Sequence, residues 1–447
     1  MLRTAAQRMG SGLRSSSQSG LNSALAQQRM MSVVAVEQPP TQHSSKYYMD
    51  LEEKFGAFNY APMPVVLSRG EGSKLWDVDG KEYFDFASAY GSVNQGHCHP
   101  RIRDAMVDQM SKLTLTSRAF HNDKLGEYVK FVTEYFGFDR ALPMNTGVEG
   151  GETSIKLARR WGYNVKGIPE NHAKVVFAEG NFWGRTLAAT SSSTDPTSFT
   201  GFGPFMPGFH NVPYNDLAAL EKEFKEDFNV CAYMVEAIQG EAGIRVPDEG
   251  YLSKVKALCE KYNVLLIVDE VQTGIGRTGK LLCQEYDGVK PDITILGKSL
   301  SGGLFPVSAV LASHEIMLQL KPGEHGSTYG GNPLACAVAT EALKVLEEEG
   351  MVENARVMGE RLRDGLRSMN SELITNIRGR GLFNGITIQE RGGKGAYELC
   401  HKFMENGLLT KNTQGDKIRL APPLMISSAQ IDQSLEIIEK SIKEFTA

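Results

Sequence analysis

The chain has 447 residues, 41% of them hydrophobic and 23% charged, with 46 glycines and a formal charge of −5. That length allows a large core and more than one domain. The acidic balance and the lack of a basic stripe argue against nucleic-acid binding, and no apolar run approaches the ~20 residues of a membrane-spanning helix.

Residues 1–36 differ in texture from everything after them. They hold Arg3, Arg8, Arg14 and Arg29 with no acid before Glu37, and Leu2, Ala6, Met9 and Leu13 would share one helical face. An Arg- and Ser-rich, acid-free, amphipathic leader has the composition of a mitochondrial transit peptide and implies a matrix protein. The alternative is a polar tail with no address. Six cysteines (Cys98, Cys231, Cys259, Cys283, Cys336 and Cys400) are scattered without a CxxC pair, which suggests reduced thiols and no disulfide framework.

Residues 37–90 read as an irregular arm and a hairpin, with turns at Gly70, Gly72 and Asp79-Gly80. In "GHCHP", His97 and His99 are close enough to suggest a metal. No third ligand stands nearby, so packing and hydrogen bonding are expected there, and no metal.

Between about Gly91 and Gly350, short apolar runs alternate with helical patterns. The runs are Val175–Ala178, Cys231–Val235, Val264–Val268, Ile293–Leu296 and Val307–Ala312, and one helix is marked by Leu252, Val255, Leu258 and Tyr262. Strands apolar on both faces and separated by helices imply an α/β domain around a mostly parallel sheet, with ligand groups at the carboxyl ends of the strands. Earlier in this region, "MNTGVEGGETSIKLARRW" puts Thr146, Gly147 and Val148 at the start of a helix running through Ile155, Leu157, Ala158 and Trp161. Free N–H groups and the helix dipole would favour an anion there.

From residue 351 to 447 the pattern becomes that of a smaller α+β domain. Ala355, Met358, Leu362, Leu366 and Met369 mark one amphipathic helix. Ile431, Leu435, Ile438, Ile442 and Phe445 mark the last, with Ser427 and Gln430 as its capping box. "GLFNGITI" and "DKIRLAP" between them read as strands.

Two nucleotide motifs fail. A P-loop would need glycine at position 292, where Asp292 stands, and the glycines around Gly297-Lys298-Ser299 follow the lysine. Gly274-Ile275-Gly276-Arg277-Thr278-Gly279 matches GxGxxG by letter. However, "DEVQT" separates it from its strand, no amphipathic helix follows, and Asp292 precedes the next strand where an acid should close it.

One constellation survives. "LLIVDEVQTGIGRTGK" closes a buried strand on Asp269, and "ITILGKSLSGG" closes the next one at Lys298. A desolvated lysine can become neutral enough to add to an aldehyde, and a carboxylate can keep a pyridine nitrogen protonated. With the helix start at Thr146 as an anion site, the set suits pyridoxal 5'-phosphate.

In many stretches the chain resembles the class III, fold-type I aminotransferases, and among them those acting on ornithine. The stretches include "NQGHCHP", "LPMNTGVEGGE", "GNFWGRT", "IQGEAG", "DEVQTGIGRTGK", "LGKSLSGGLFPVSAVL", "KPGEHGSTYGGNPLA" and "IRLAPPL", from about Lys46 to the C-terminus. The resemblance implies Lys298 as the Schiff-base lysine and Asp269 as partner of the pyridine nitrogen. It implies Gln272 near the phenolic oxygen, Phe182 on the ring, and Gly147 and Val148 on the phosphate. Ser327 and Thr328 would reach the phosphate of a second subunit, making a homodimer the smallest active unit. Tyr60, Tyr90 and Arg185 match substrate-holding positions, and Glu241 with Arg419 matches an ion pair that opens for 2-oxoglutarate. The implied reaction moves the δ-amino group of L-ornithine to 2-oxoglutarate, giving glutamate 5-semialdehyde and glutamate. N-acetylornithine and 4-aminobutyrate are the alternative substrates within the family. Two positions depart from its pattern: Ala237 stands for a proline, and Gly91 follows Tyr90 where serine is common.

Overall fold

A computed structural model describes residues 43–446, so the expected leader lies outside the described residues. The described residues fall into two units, 43–59 and 60–446. The described part of the first contains the helix Ser45–Phe55, none of whose side chains is buried.

The second unit begins with three antiparallel strands, β1 (Leu67–Glu71), β2 (Lys74–Asp77) and β3 (Glu82–Asp85). Gly72 (φ +57°) and Gly80 (φ +86°) make the two expected turns. Gly70 does not: it lies inside β1 opposite Leu75. Its side is covered by His97, whose Cβ would be 2.9 Å from a Cβ added there. Close approach, not a turn, is what needs the glycine. His97 is itself held by Asp85 at 2.7 Å, and His99 by Glu349 at 3.1 Å. All six cysteines are free, and all but Cys98 are buried.

The central sheet has seven strands: β4 (Arg140–Met144), β5 (Lys174–Ala178), β6 (Phe209–Val212), β7 (Val230–Glu236), β8 (Leu265–Asp269), β9 (Ile293–Leu296) and β10 (Ser308–Ala312). Their order is β4-β10-β9-β8-β7-β5-β6. The five strands from β9 to β6 run parallel, while β10 is antiparallel to both β9 and β4. Each apolar run expected to be a strand matches to within one residue at either end. The two edge strands carried no such signal: β4 contains Pro143 and β6 is only half covered, both tolerable at an edge.

The C-terminal part adds β11 (Ile374–Arg380), β12 (Phe383–Ile388), β13 (Leu408–Leu409), β14 (Asn412–Thr413) and β15 (Lys417–Leu420). Four of them form the sheet β11-β12-β15-β14, and β13 joins β3 in parallel. The expected helices are Met351–Ser368 and Ser428–Thr446. The capping box of the latter forms, with Gln430 N–H donating to Ser427 Oγ at 3.3 Å and Ser427 N–H to Gln430 Oε1 at 3.0 Å.

The Gly274–Gly279 stretch is a run of turns with a structural task. Arg277, fully buried at its centre, donates to Asn94 Oδ1 (3.1 Å from Nε), Leu382 O (3.1 Å) and Pro422 O (2.6 Å). It thereby joins the turn to the C-terminal sheet region.

Candidate active site

Three neighbouring parallel strands end together. Glu236 closes β7 directly opposite Asp269, which closes β8, and Asp269 pairs with Ile295 of β9. In-register neighbours point to the same face, so both carboxyls emerge at one sheet end. Lys298 follows two residues after β9, at the start of a 3-10 turn, and not on the strand itself as the sequence suggested. Its φ of +46° is left-handed, a conformation costing a non-glycine residue about 1 kcal/mol. The turn swings the amine back over the strand ends.

Gly147, Val148, Phe182, Trp183, Glu236, Asp269, Val271, Gln272 and Lys298 line one cavity of about 210 Å³. Burial lowers the pKa of Lys298 first of all. Arg419 adds to that, while Glu241, Asp269 and Glu236 oppose it. Burial also raises Asp269 to about 6, against the N–H of Val271 (2.9 Å) and the charge of Lys298. Glu236 is raised to about 8, again by burial first and then by the charge of Asp269. The cavity therefore favours a neutral amine and disfavours two negative carboxylates side by side.

At the other end of the cavity, Thr146 caps the helix Gly147–Trp161. Its Oγ1 accepts from Glu149 N–H at 3.3 Å, and Glu149 Oε2 accepts from Thr146 N–H at 2.7 Å. That capping box occupies both polar groups of Thr146. The N–H groups of Gly147 and Val148 have no acceptor within the helix, whose first backbone bond starts at Gly150. Gly147 is required by crowding, since a Cβ there would meet Val271 Cγ1 at 2.9 Å.

Gln272 is aimed by two contacts. Its Nε2 donates to Tyr90 O at 3.0 Å, and its Oε1 rests on Gly240, where an added Cβ would come within 1.6 Å. Ser88, Ala89, Tyr90 and Gly91 all have positive φ, so a left-handed turn delivers that carbonyl. Gly91 (φ +83°) suits the turn better than serine would. Ala237, the other departure, is buried and accepts from Tyr214 OH at 3.2 Å.

Around the mouth, Arg419 donates from Nη2 to Glu241 Oε1 at 3.0 Å, while its buried Nε and Nη1 have no partner among the described residues. Its guanidinium lies 5.3 Å from the Tyr90 ring centroid. The Tyr90 hydroxyl is raised by burial and then by Glu241, and Tyr60 is close enough to add to this. Arg185 stands 5.6 Å over the Phe182 ring, with Nη1 donating to Ser198 Oγ at 3.3 Å.

Of the sequence-derived residues, Gly147, Val148, Phe182, Asp269, Gln272 and Lys298 line this cavity, whereas Thr146, Tyr60, Tyr90, Arg185, Glu241, Arg419, Ser327 and Thr328 do not. Glu236 and Trp183 do, and the sequence reading passed over them. Glu236 carried the same signal as Asp269, an acid closing a buried strand. Its carboxylate accepts from Phe182 N–H (3.0 Å) and Gly240 N–H (3.1 Å), tying the Phe182 loop to the turn that bears Glu241.

These residues fit pyridoxal phosphate. Asp269 is a buried acid that accepts a hydrogen bond from the Val271 N–H, and a protonated ring nitrogen would supply it with a charged donor. Lys298 presents an amine of lowered basicity. Two helix-start amides await an anion, and Gln272 keeps a second amide hydrogen after its bond to Tyr90.

A family model described as "Aminotransferase class-III" matches residues 55–442. The mitochondrial ornithine aminotransferase of Rattus norvegicus is 58% identical over 426 residues, covering 95% of this chain and 96% of that protein. Among solved structures, the ornithine aminotransferase of Toxoplasma gondii superposes with a TM-score of 0.89 at 45% identity, covering 94% of this chain and 98% of that one. An acetylornithine aminotransferase from Elizabethkingia anophelis gives 0.83 at 52% identity, covering 90% and 100%.

Proposed function

The chain belongs to the class-III aminotransferase family, pyridoxal-phosphate enzymes, and from that premise we propose that it moves the δ-amino group of L-ornithine to 2-oxoglutarate. The products are L-glutamate 5-semialdehyde and L-glutamate. The observation that carries this reading is Arg419, buried and bound to Glu241 through one nitrogen while its two others lack partners among the described residues.

Bound in the cavity, the cofactor supplies an aldehyde for the amine and a ring that withdraws electrons from the bond to be broken. Gly147 and Val148 would hold its phosphate, with Thr146 shaping the helix start. Asp269 would hold its ring nitrogen protonated, Gln272 its phenolic oxygen, and Phe182 its face. Lys298 Nζ takes the proton from the substrate carbon that bears the transferred nitrogen and returns it at the next step. Its lowered pKa makes the neutral form available for this.

While Glu241 covers Arg419, the α-carboxylate of ornithine has no cation at the inner position. The diamine then enters δ-end first, with its α-amino acid end near Tyr60, Tyr90 and Arg185. A dicarboxylate displaces Glu241, engages Arg419 in a two-point contact, and places its second carboxylate on Arg185. The likeness to the Elizabethkingia protein keeps N-acetylornithine as the second reading, with 4-aminobutyrate as a further family substrate. The test is the cofactor's visible spectrum during titration with each amine. Bleaching by ornithine, reversed by 2-oxoglutarate, supports the proposal, and bleaching by N-acetylornithine alone overturns it.

The same reading makes the protein a homodimer, in which Ser327 and Thr328 would serve the cofactor phosphate of the second subunit. It divides the chain at 36, 90 and 350, the last supported by a separate sheet formed wholly after residue 373. The mitochondrial names of the Rattus and Drosophila relatives support a mitochondrial protein, and we place it in the matrix.

A further inference from the structure

The loop 321–332 is joined to the helix Gly147–Trp161 and its cap outside the cavity. Asn145 Nδ2 donates to Ser327 Oγ at 2.9 Å, and Arg160 pairs with Glu324 at 3.0 Å. Between these, Lys156 Nζ donates to His325 Nδ1 at 3.0 Å and to Glu324 O at 3.1 Å. His325 Nε2 lies 2.9 Å from Thr153 Oγ1, whose own hydrogen goes to Glu149 O at 2.7 Å. Thr153 can therefore only accept from the ring. The imidazole carries its proton on Nε2 and turns the Nδ1 lone pair toward an ammonium group, which selects one neutral tautomer. A second proton would have to sit on Nδ1, facing Lys156.

We infer that neutral His325 is a positioning residue that latches the Ser327–Thr328 loop to the phosphate-binding helix, and that protonation opens the latch. This rests on the reading above, in which that loop serves the cofactor phosphate of a second subunit. Ser327 Oγ accepts from both Asn145 and Gly330 N–H (3.0 Å), so its own hydrogen can point outward to an anion. Gly147 and Val148 begin the helix that the loop is tied to. The latch thus couples a chain's own phosphate site to the side chains it lends its partner.

The charged groups acting on the ring are Lys156 and Glu149 of the helix; its chain neighbour Glu324 is paired with Arg160 and accepts from Lys321 N–H. Burial, then Lys156, lower the pKa of His325, with Glu149 opposing. A depressed histidine pKa means that the latch is fully closed above the ordinary range near ~6.5 and is lost as the pH falls through the lowered value.

Hydrogen–deuterium exchange over residues 321–332, corrected for intrinsic rates, reads the latch directly in holoenzyme and apoenzyme. Between about pH 8 and about pH 5, protection in the wild type should fall about tenfold, the worth of one lost charge-assisted hydrogen bond. His325→Gln keeps an amide donor for Thr153 but cannot be protonated, so its protection should stay flat. His325→Ala should be unprotected at both values. Pyridoxal phosphate affinity, followed by protein fluorescence quenching, should fall in parallel in the wild type and not in His325→Gln. Identical pH responses in wild type and His325→Gln overturn the latch. Ser327→Ala separates the two ideas: unchanged cofactor affinity there overturns the phosphate reading of the loop, while exchange still judges the latch.

Discussion

Arg419 and Glu241 meet at 3.0 Å although 178 residues separate them. One comes from β15 of the C-terminal sheet and the other from the turn after β7, whose backbone is fixed by Thr413 Oγ1 donating to Glu241 O at 2.9 Å. The pair therefore ties the C-terminal sheet to the central sheet.

Glu241→Gln should weaken this pair and uncover Arg419. A charge-assisted hydrogen bond of about 1.5–3 kcal/mol corresponds to roughly ten- to hundredfold in selectivity. Stopped-flow measurement of the two half-reactions should show a slower ornithine step and a faster one with glutamate. Equal effects on both would leave the gating role without support.

Lys298→Ala removes the nucleophile and the proton carrier together. Turnover should fall by at least about a thousandfold, within the range for a positioned acid-base group plus a covalent one. The absorbance of the lysine-bound cofactor should disappear and should not return on adding more pyridoxal phosphate.

Asp269→Asn should weaken cofactor binding yet stabilise the apoenzyme. A carboxyl raised from 3.8 to about 6 binds its proton more tightly when folded, so the folded state loses stability as pH rises through that interval. The interval corresponds to about 3 kcal/mol. Apoenzyme melting temperatures of the variant should exceed the wild type near neutrality and converge with it toward pH ~4, the ordinary range of the group.

Arg277→Leu should unfold the protein more easily without redirecting its cofactor choice. It would leave Asn94 Oδ1 and the carbonyls of Leu382 and Pro422 without their buried donor, at about 1–3 kcal/mol for each acceptor left unsatisfied. Thermal denaturation checks the loss. Binding of a nicotinamide dinucleotide to the wild type, abolished by this change, would contradict the structural role of Gly274–Gly279.

Much of the framework was legible in the chain. The β7, β8, β9 and β10 runs are apolar on both faces because helices cover both, and Asp269 and Lys298 stand where such strands deliver ligand groups. Helix starts and ends were readable because caps are local, as with Ser427 and Gln430. Edge strands β4 and β6 were not, since an edge need not be apolar.

The sequence by itself determined which segments are buried strands, which are amphipathic helices, and which acid and which lysine end neighbouring strands. Each of these depends on the periodicity of a few consecutive residues. Tertiary structure decided the rest. It set Glu236 beside Asp269, committed Thr146 to its own cap, closed Glu241 on Arg419, and tied Ser327 to Asn145 outside the cavity. Those contacts depend on sheet order and strand register, which bring together groups that no local pattern links.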